Sequence, residues 1–428
     1  MNTNLLMHPT ISHQKTKINV PFLRPQIGEG EIREVVKTLR SGWLTTGPQV
    51  KKFETEFARA VNGKYAVALN SCTAALHLAV EALGLGEGQA VLVPTMTFAA
   101  TAEILLYEKA TPILVDCDPV TGNMDLENAR AQIEAIRSGM HPVFKDKELN
   151  IVGIIPVHVG GYMLDMDELA RFAEEFGLWI VEDAAHAFPA AWRTNGASPW
   201  RRCGENTAAV TCYSFYANKT ITTGEGGMAV TDSEATAERI RLMSLHGLSK
   251  DAWGRYSGNG SWDYRIVSPG YKYNLTDIAA AIGIHQLACA EKMRLQREYI
   301  ARFYLDSLAG VEEIGLPACD ENRIHSWHLF PIRLNLEKLS IDRNEFIEQL
   351  KNNGVGCSVH WRPLHLHPLY AERFGWREED LPAASQLWTQ IISLPIFSSM
   401  KAFEMRHIVQ TLKEMCAAFS KTKVSMAA

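Results

Sequence analysis

The sequence predicts an α/β protein in which helices cover a mostly parallel sheet and a smaller α+β domain follows. Between about residues 65 and 235, short apolar runs alternate with helical stretches, as βα units do. The runs show little period-2 alternation, as expected of strands covered on both faces. After about residue 275 the pattern changes to one long helical region followed by mixed, shorter elements.

In chain order, residues 1–19 read as a loose tail. Residues 29–40 (EGEIREVVKTLR) have the periodicity of an amphipathic helix, and a Gly/Thr/Pro turn follows from Gly42 to Pro48. The strands predicted next are Ala66–Leu69, Ala90–Val93, Ile113–Val115, Val152–Val157, Trp179–Val181, Ala209–Tyr213 and Met228–Val230. Helices such as Thr73–Leu83 and Met166–Phe176 lie between them. The C-terminal part begins with a helical region from Thr276 to about Leu305. A strand-like run at 327–334, a helix near 343–353, a second strand-like run at 355–360 and a helix near 401–419 follow. The expected division is a tail (1–19), a large α/β domain (20–275) and a small α+β domain (276–428).

A chain of 428 residues can bury a sizeable core without disulfides. A formal net charge of -5 argues against a general nucleic-acid binder and against a polybasic membrane anchor. The 8 cysteines form no C-x-x-C pair, so they read as free thiols of a reducing compartment. The start lacks the apolar run of a signal peptide, and no stretch has the length of a membrane span. The expected location is the cytoplasm.

Four segments carry chemistry. In SFYANKTITTGEGG (Ser214–Gly227), Lys219 follows a strand and precedes tight glycine turns. Such a lysine can attack an aldehyde if its site disfavours the ammonium form, although an ordinary surface lysine fits the same pattern. In WIVEDAAHAF, an apolar strand ends at Asp183, on the sheet edge where ligands bind in open α/β folds. A carboxylate there can keep a pyridine nitrogen protonated, or simply cap a helix. His186, three residues on, can hydrogen-bond a ring substituent or pack in the core. In NSCTAALHLAV, a strand runs into Ser71, Cys72 and Thr73 and then directly into a helix, a natural phosphate cup and also an ordinary N-cap. In VPTMTFAATAEI, Phe98 lies just past a strand end, placed to stack on a flat ring or to fill the core.

The order phosphate cup, aromatic, acid, lysine resembles the type I pyridoxal-phosphate fold. The wording is similar to the DegT/DnrJ/EryC1/StrS family of nucleotide-sugar aminotransferases over about residues 20 to 415. The similar segments are PFLRPQIGEGEI, SGWLTTGP, NSCTAALHLAV, PTMTFAATAE, VEDAAHA, SFYANKTITTGEGG, GYKYNLTDIAAAIG, WHLFPIRL and SLPIF. Within the family, GYKYNLTDI and LHGLSKDAW look most like enzymes that make 4-amino-4-deoxy-arabinose on a UDP carrier.

The resemblance implies a pyridoxal 5'-phosphate enzyme with Lys219 bonded to the cofactor and later shuttling protons. It implies Asp183 at the pyridinium nitrogen, His186 near the ring hydroxyl and Phe98 on the ring face. Ser71, Cys72, Thr73 and Ser214 would bind phosphate; Cys72 stands where glycine is commoner. The partner subunit of a homodimer would complete that site through Asn274 or Lys272. The expected reaction takes an amine from L-glutamate to a nucleotide-linked keto-sugar, most simply at the 4-position. Lysine at 219, where a dehydratase branch carries histidine, favours the transaminase. An aminocyclitol transaminase remains an alternative within the fold, and a non-catalytic binding paralogue one outside the class.

His360, His365 and His367 in VHWRPLHLHP read as a loop near the substrate entrance and not as a metal site. His325 and His328 flank Trp327 in an apolar run and read as packing. His246, Trp253 and His360 are candidate pocket residues.

Overall fold

Seven strands build the central sheet, in the order β1-β9-β8-β5-β4-β2-β3. Strands β1 (Tyr65–Leu69), β2 (Gln89–Pro94), β3 (Thr111–Val115), β4 (Asn150–Ile154) and β5 (Trp179–Asp183) come first along the chain. The short β6 (Ala191–Trp192) and β7 (Arg201–Arg202) leave the sheet, and β8 (Val210–Ser214) and β9 (Gly227–Thr231) return to it. Helices α1 (Glu29–Ser41) and α2 (Pro48–Ala60) precede the sheet. Helices α3 (Cys72–Ala82), α4 (Ala100–Tyr107), α5 (Leu126–Arg137), α6 (Met166–Phe176) and α7 (Glu234–Met243) cover it. The computed structural model describes residues 18–145, 148–205, 208–248 and 265–421. Most of the expected tail, and Trp253, fall outside these residues.

All seven central strands coincide with the apolar runs read from the sequence, within a few residues at their ends. Only β9 runs against its neighbours, pairing antiparallel with both β1 and β8. The other pairs are parallel. The remaining six strands therefore point the same way, and their carboxyl ends share one edge. Helix α3 is apolar on nearly every side and buries Cys72 and every residue from Ala74 to Val80, as a helix wedged between layers must. Asp125, Asp165 and Ser233 cap α5, α6 and α7 through their side-chain oxygens.

The long α8 (Asp277–Leu308) leads into the C-terminal domain. Its start is tied to the N-terminal helices by the buried Asp277 carboxylate, which accepts the N–H groups of Gly47, Gln49 and Val50 at 2.8–3.1 Å. The negative charge thus meets the positive end of α2. Ala280 to Met293 pack into the large core, whereas Ile300 to Leu308 pack into the small one. The small domain holds an antiparallel sheet of β10 (Ile314–Gly315), β12 (Phe330–Leu334) and β13 (Ile391–Leu394). Strand β11 (Arg323–Ile324) instead joins β6 and β7 in a side ribbon. Helices α9 (Arg343–Asn352), α10 (Pro368–Phe374), α11 (Pro382–Gln390) and α12 (Ala402–Phe419) complete it. The run 355–360, read as a strand, makes only isolated bridges, Val355 to Val20 and Ser358 to Ser393. Its backbone partners lie on different segments, so no continuous ladder forms.

Several buried histidines make the fold acid-sensitive. Burial pushes His325 down to about 3, and His141 and His365 down to about 4. In the unfolded chain each takes a proton near pH 6.5, which the native state refuses until those lower values. The stability they confer is complete above pH 6.5 and is lost as pH falls toward 4, by on the order of 1–2 kcal/mol per histidine at pH 5. Melting temperature measured at pH 7 and pH 5 should drop by several degrees; a flat profile would contradict this.

Candidate active site

A cavity of about 540 Å³ opens at the carboxyl edge of the sheet. Its size falls within the roughly 300–1,000 Å³ range of ligand cavities. Ser71, Cys72, Thr73, Phe98, Asp183, His186, Ser214 and Lys219 all line it. The topology explains the convergence. Ser71 follows β1, Phe98 follows β2, Asp183 ends β5 and Ser214 ends β8. Asn274 is placed elsewhere. Its Nδ2 donates to Thr46 Oγ1 and its Oδ1 accepts from Lys272 Nζ, both at 2.7 Å, and it does not line this cavity.

At the start of α3, Ser71 Oγ accepts the N–H of Ala74 at 3.1 Å. The N–H groups of Cys72 and Thr73 have no intrahelical acceptor by position. They offer the positive end of a helix to an anion. The cup is closed from below by Gly227, where an added Cβ would meet the Ser71 carbonyl oxygen at 2.3 Å. Only a glycine allows β9 to approach the cup this closely.

Asp183 is buried, which pushes its carboxyl up from the usual range, while Thr101, the Ala185 N–H and Lys219 draw it down. Its Oδ2 accepts from Thr101 Oγ1 at 2.8 Å and its Oδ1 from the Ala185 N–H at 3.1 Å. The Thr101 hydroxyl, committed to Asp183, accepts from Thr97 Oγ1 at 2.7 Å. A buried carboxylate held this way is suited to a cationic partner such as a protonated ring nitrogen.

His186 Nδ1 accepts the Gly160 N–H at 3.3 Å, so its proton sits on Nε2. Burial, then the positive charge of Lys219, keeps the ring neutral and well below the usual histidine range. It lies flat against Trp361, with centroids 5.1 Å apart and planes inclined by 18°. Phe98 leaves 64% of its surface open, an aromatic beside a cavity with a face available for stacking. Lys219 sits in the turn after β8, where Gly224 adopts a φ of +82°. Burial brings its amine down to about 8, against the pull of Cys72 and Asp183 toward the charged form. The anion cup, the acid, the open aromatic and the lysine fit a flat phosphorylated heterocyclic aldehyde.

Other expectations resolve differently. His328, read as packing, is a cavity residue whose Nε2 lies 3.4 Å from Lys219 Nζ. His325 does pack, lying flat on Trp327 at 4.0 Å. His360 lines the cavity together with Trp361, but His365 is buried away from it, between Thr95 and Ser385. His367 stands just before α10, and its ring bonds the Arg362 carbonyl. His246 sits in the turn after α7, its N–H bonded to the Tyr271 carbonyl, and does not line the cavity. Thr101, Trp361 and His328 are the site residues missed by sequence reading. Thr101 lies three residues beyond Phe98, a spacing that could have flagged it; nothing local marks the other two.

Glu182 of β5 forms, with His158 and Cys203, a fully buried group of metal-ligating types. Its protons are already accounted for. His158 Nδ1 accepts from the Leu164 N–H, so Nε2–H donates to Glu182 at 2.8 Å, and Cys203 Sγ and Thr211 Oγ1 donate to the same carboxylate. Among the described residues no helix is long and apolar enough to cross a membrane.

Solved structures share this architecture. The putative sugar aminotransferase Spr1654 of Streptococcus pneumoniae, in its PLP-form, superposes with a TM-score of 0.80 at 32% identity. The match covers 94% of this chain and 99% of that one. Its PMP-form gives 0.81, covering 94% and 98%. DesV from S. venezuelae matches at 0.77 and 30% identity, covering 90% of this chain and 94% of its own. The chain is thus a pyridoxal-phosphate-dependent aminotransferase of the type I fold. The profile of the DegT/DnrJ/EryC1/StrS aminotransferase family matches residues 25–413, and the chain belongs to that family. Among curated relatives, the uncharacterized protein MJ1066 of Methanocaldococcus jannaschii is 42% identical over 92% of this chain and 97% of its own length. The spore coat polysaccharide biosynthesis protein SpsC of Bacillus subtilis is 40% identical, covering 94% and 98%.

Proposed function

We propose that the protein transfers an amino group from L-glutamate to the 4-position of a keto-sugar carried on a nucleotide. The observation that carries the reading is the convergence of Lys219, Asp183 and the α3 cup in one cavity that continues past Phe98 to His360 and Trp361. Spr1654 is described as a putative sugar aminotransferase and SpsC as a spore coat polysaccharide biosynthesis protein, which supports a sugar acceptor. The segments LHGLSKDAW and GYKYNLTDI support the 4-position; Ser249 to Trp253 lie outside the described residues.

When bound, the cofactor supplies an aldehyde that exchanges amines and a ring that stores the electron pair left by a broken C–H bond. Lys219 bonds it and then carries protons as general acid and base. Asp183 keeps the ring nitrogen charged. His186 offers Nε2–H to the ring oxygen, and Phe98 covers the ring face. Ser71, Cys72, Thr73 and Ser214 hold the phosphate. The protein acts as a homodimer in which Lys272 or Asn274 of one subunit reaches the phosphate of the other; the position of Asn274 outside its own chain's cavity supports this.

An absorbance spectrum of the purified protein tests the reading. A visible band should appear with pyridoxal phosphate and move to shorter wavelength on adding L-glutamate. Keto-sugar nucleotides are then screened for those that restore it. If no visible band forms after the cofactor is added, the reading fails.

A further inference from the structure

We propose that His328 donates its Nε2–H to the lone pair of Lys219 Nζ and so favours the uncharged amine form of the free lysine. The inference rests on Lys219 being the residue that bonds the cofactor. Lysine is free whenever the cofactor carries the transferred amine, and only the uncharged form can bond the cofactor again or accept a proton from substrate carbon.

The proton on His328 can be placed by elimination. Nε2 lies 3.4 Å from Lys219 Nζ, while Nδ1 is buried without a hydrogen-bond partner among the described residues. A buried N–H left bare is rarer and costlier than a bare lone pair. The proton therefore belongs on Nε2, and the group facing it must accept. An ammonium has no lone pair, so this contact is made by the neutral amine and favours it.

The surroundings favour the same state. Groups facing Lys219 are Cys72 from α3, Asp183 at the end of β5, His186, His328, His360 and Arg297 from α8. Arg297 is buried behind His328. Its Nη1 donates to the carbonyls of Trp327, His328 and Ile396 at 2.9–3.4 Å, its Nε has no partner, and no carboxylate pairs with it among the described residues. An uncompensated guanidinium disfavours a second cation nearby. Asp183 is the one carboxylate of the set and pulls the other way until a cationic ring pairs with it.

The aim of His328 is built into the backbone. Trp327 has a φ of +51°, a left-handed conformation unusual for a bulky residue. It is held there by its ring stacked on His325 and its N–H bonded to His325 Nδ1 at 2.8 Å. Strain kept in place by its surroundings is characteristic of a positioned functional group.

The test reads the charge of Lys219 and not turnover. Full-length protein loaded with pyridoxamine 5'-phosphate leaves the lysine free. It is treated with cyanate, which carbamoylates only neutral amines, across pH 6–10, and the Lys219 peptide is quantified by mass spectrometry. The native midpoint should lie near 8. His328→Phe should raise it by about one unit, slowing carbamoylation at pH 7 about tenfold. His328→Gln, which can supply an amide N–H, should restore part of the shift. An unchanged or lowered midpoint in His328→Phe overturns the proposal; a lowered one would mean that His328 accepts from an ammonium. Failure of the cofactor reading shows separately, as native protein that forms no visible band after pyridoxal phosphate is added.

Discussion

Lys219→Ala is expected to lower transamination by on the order of 10⁴-fold, the upper range for losing a positioned proton carrier. Among the described residues Lys219 is the only lysine of its own chain that lines the cavity. The variant should fold, because truncation removes a group whose burial disfavours its charge. Its melting temperature should be at or above that of the native protein. Pre-formed adduct between cofactor and glutamate should accumulate without turnover, and a small alkylamine should restore part of the rate by carrying the proton. Activity within tenfold of native would remove Lys219 from its assigned role.

Asp183→Asn should separate function from stability. The substitution keeps the shape of the side chain but removes the buried charge that favours a protonated ring nitrogen. Losing one member of such a pair costs roughly 3–5 kcal/mol, which corresponds to about 10²–10⁴ in rate. The same buried carboxylate destabilises the cofactor-free fold, since burial pushes its pKa up. The native state binds this proton more tightly than the unfolded chain, so as pH rises through the carboxylate range the group costs stability. Asn removes that cost. Turnover should collapse while the cofactor-free melting temperature at pH 7 holds or rises. A variant with near-native turnover would mean that the ring nitrogen needs no charged partner.

The apolar runs were legible because a strand covered on both faces must be hydrophobic throughout, wherever it sits in the sheet. The antiparallel course of β9 was not legible. Direction depends on the connection through the turn at Gly224–Gly227, and Met228–Val230 is equally apolar in either sense. Lys219 and Asp183 stood out because each is a polar residue at the end of an apolar run, and the sheet brings such ends to one edge. Phe98 and the Ser71–Thr73 start were found by the same logic.

His328 and Trp361 could not be found that way. His328 meets Lys219 across 109 residues of chain, and Trp361 meets His186 from the small domain. His325 and His328 look alike in sequence, yet one stacks on tryptophan and the other faces the lysine. The left-handed turn at Trp327 divides them. By itself, then, the sequence determined the α/β class, the strand positions and the ends that carry the cup, the acid and the lysine, because local periodicity and strand ends encode these. Tertiary structure alone decided which histidines face the cavity, where Asn274 lies and how Asp183 is held by Thr101. Those contacts join segments whose separation in the chain carries no information about their distance in space.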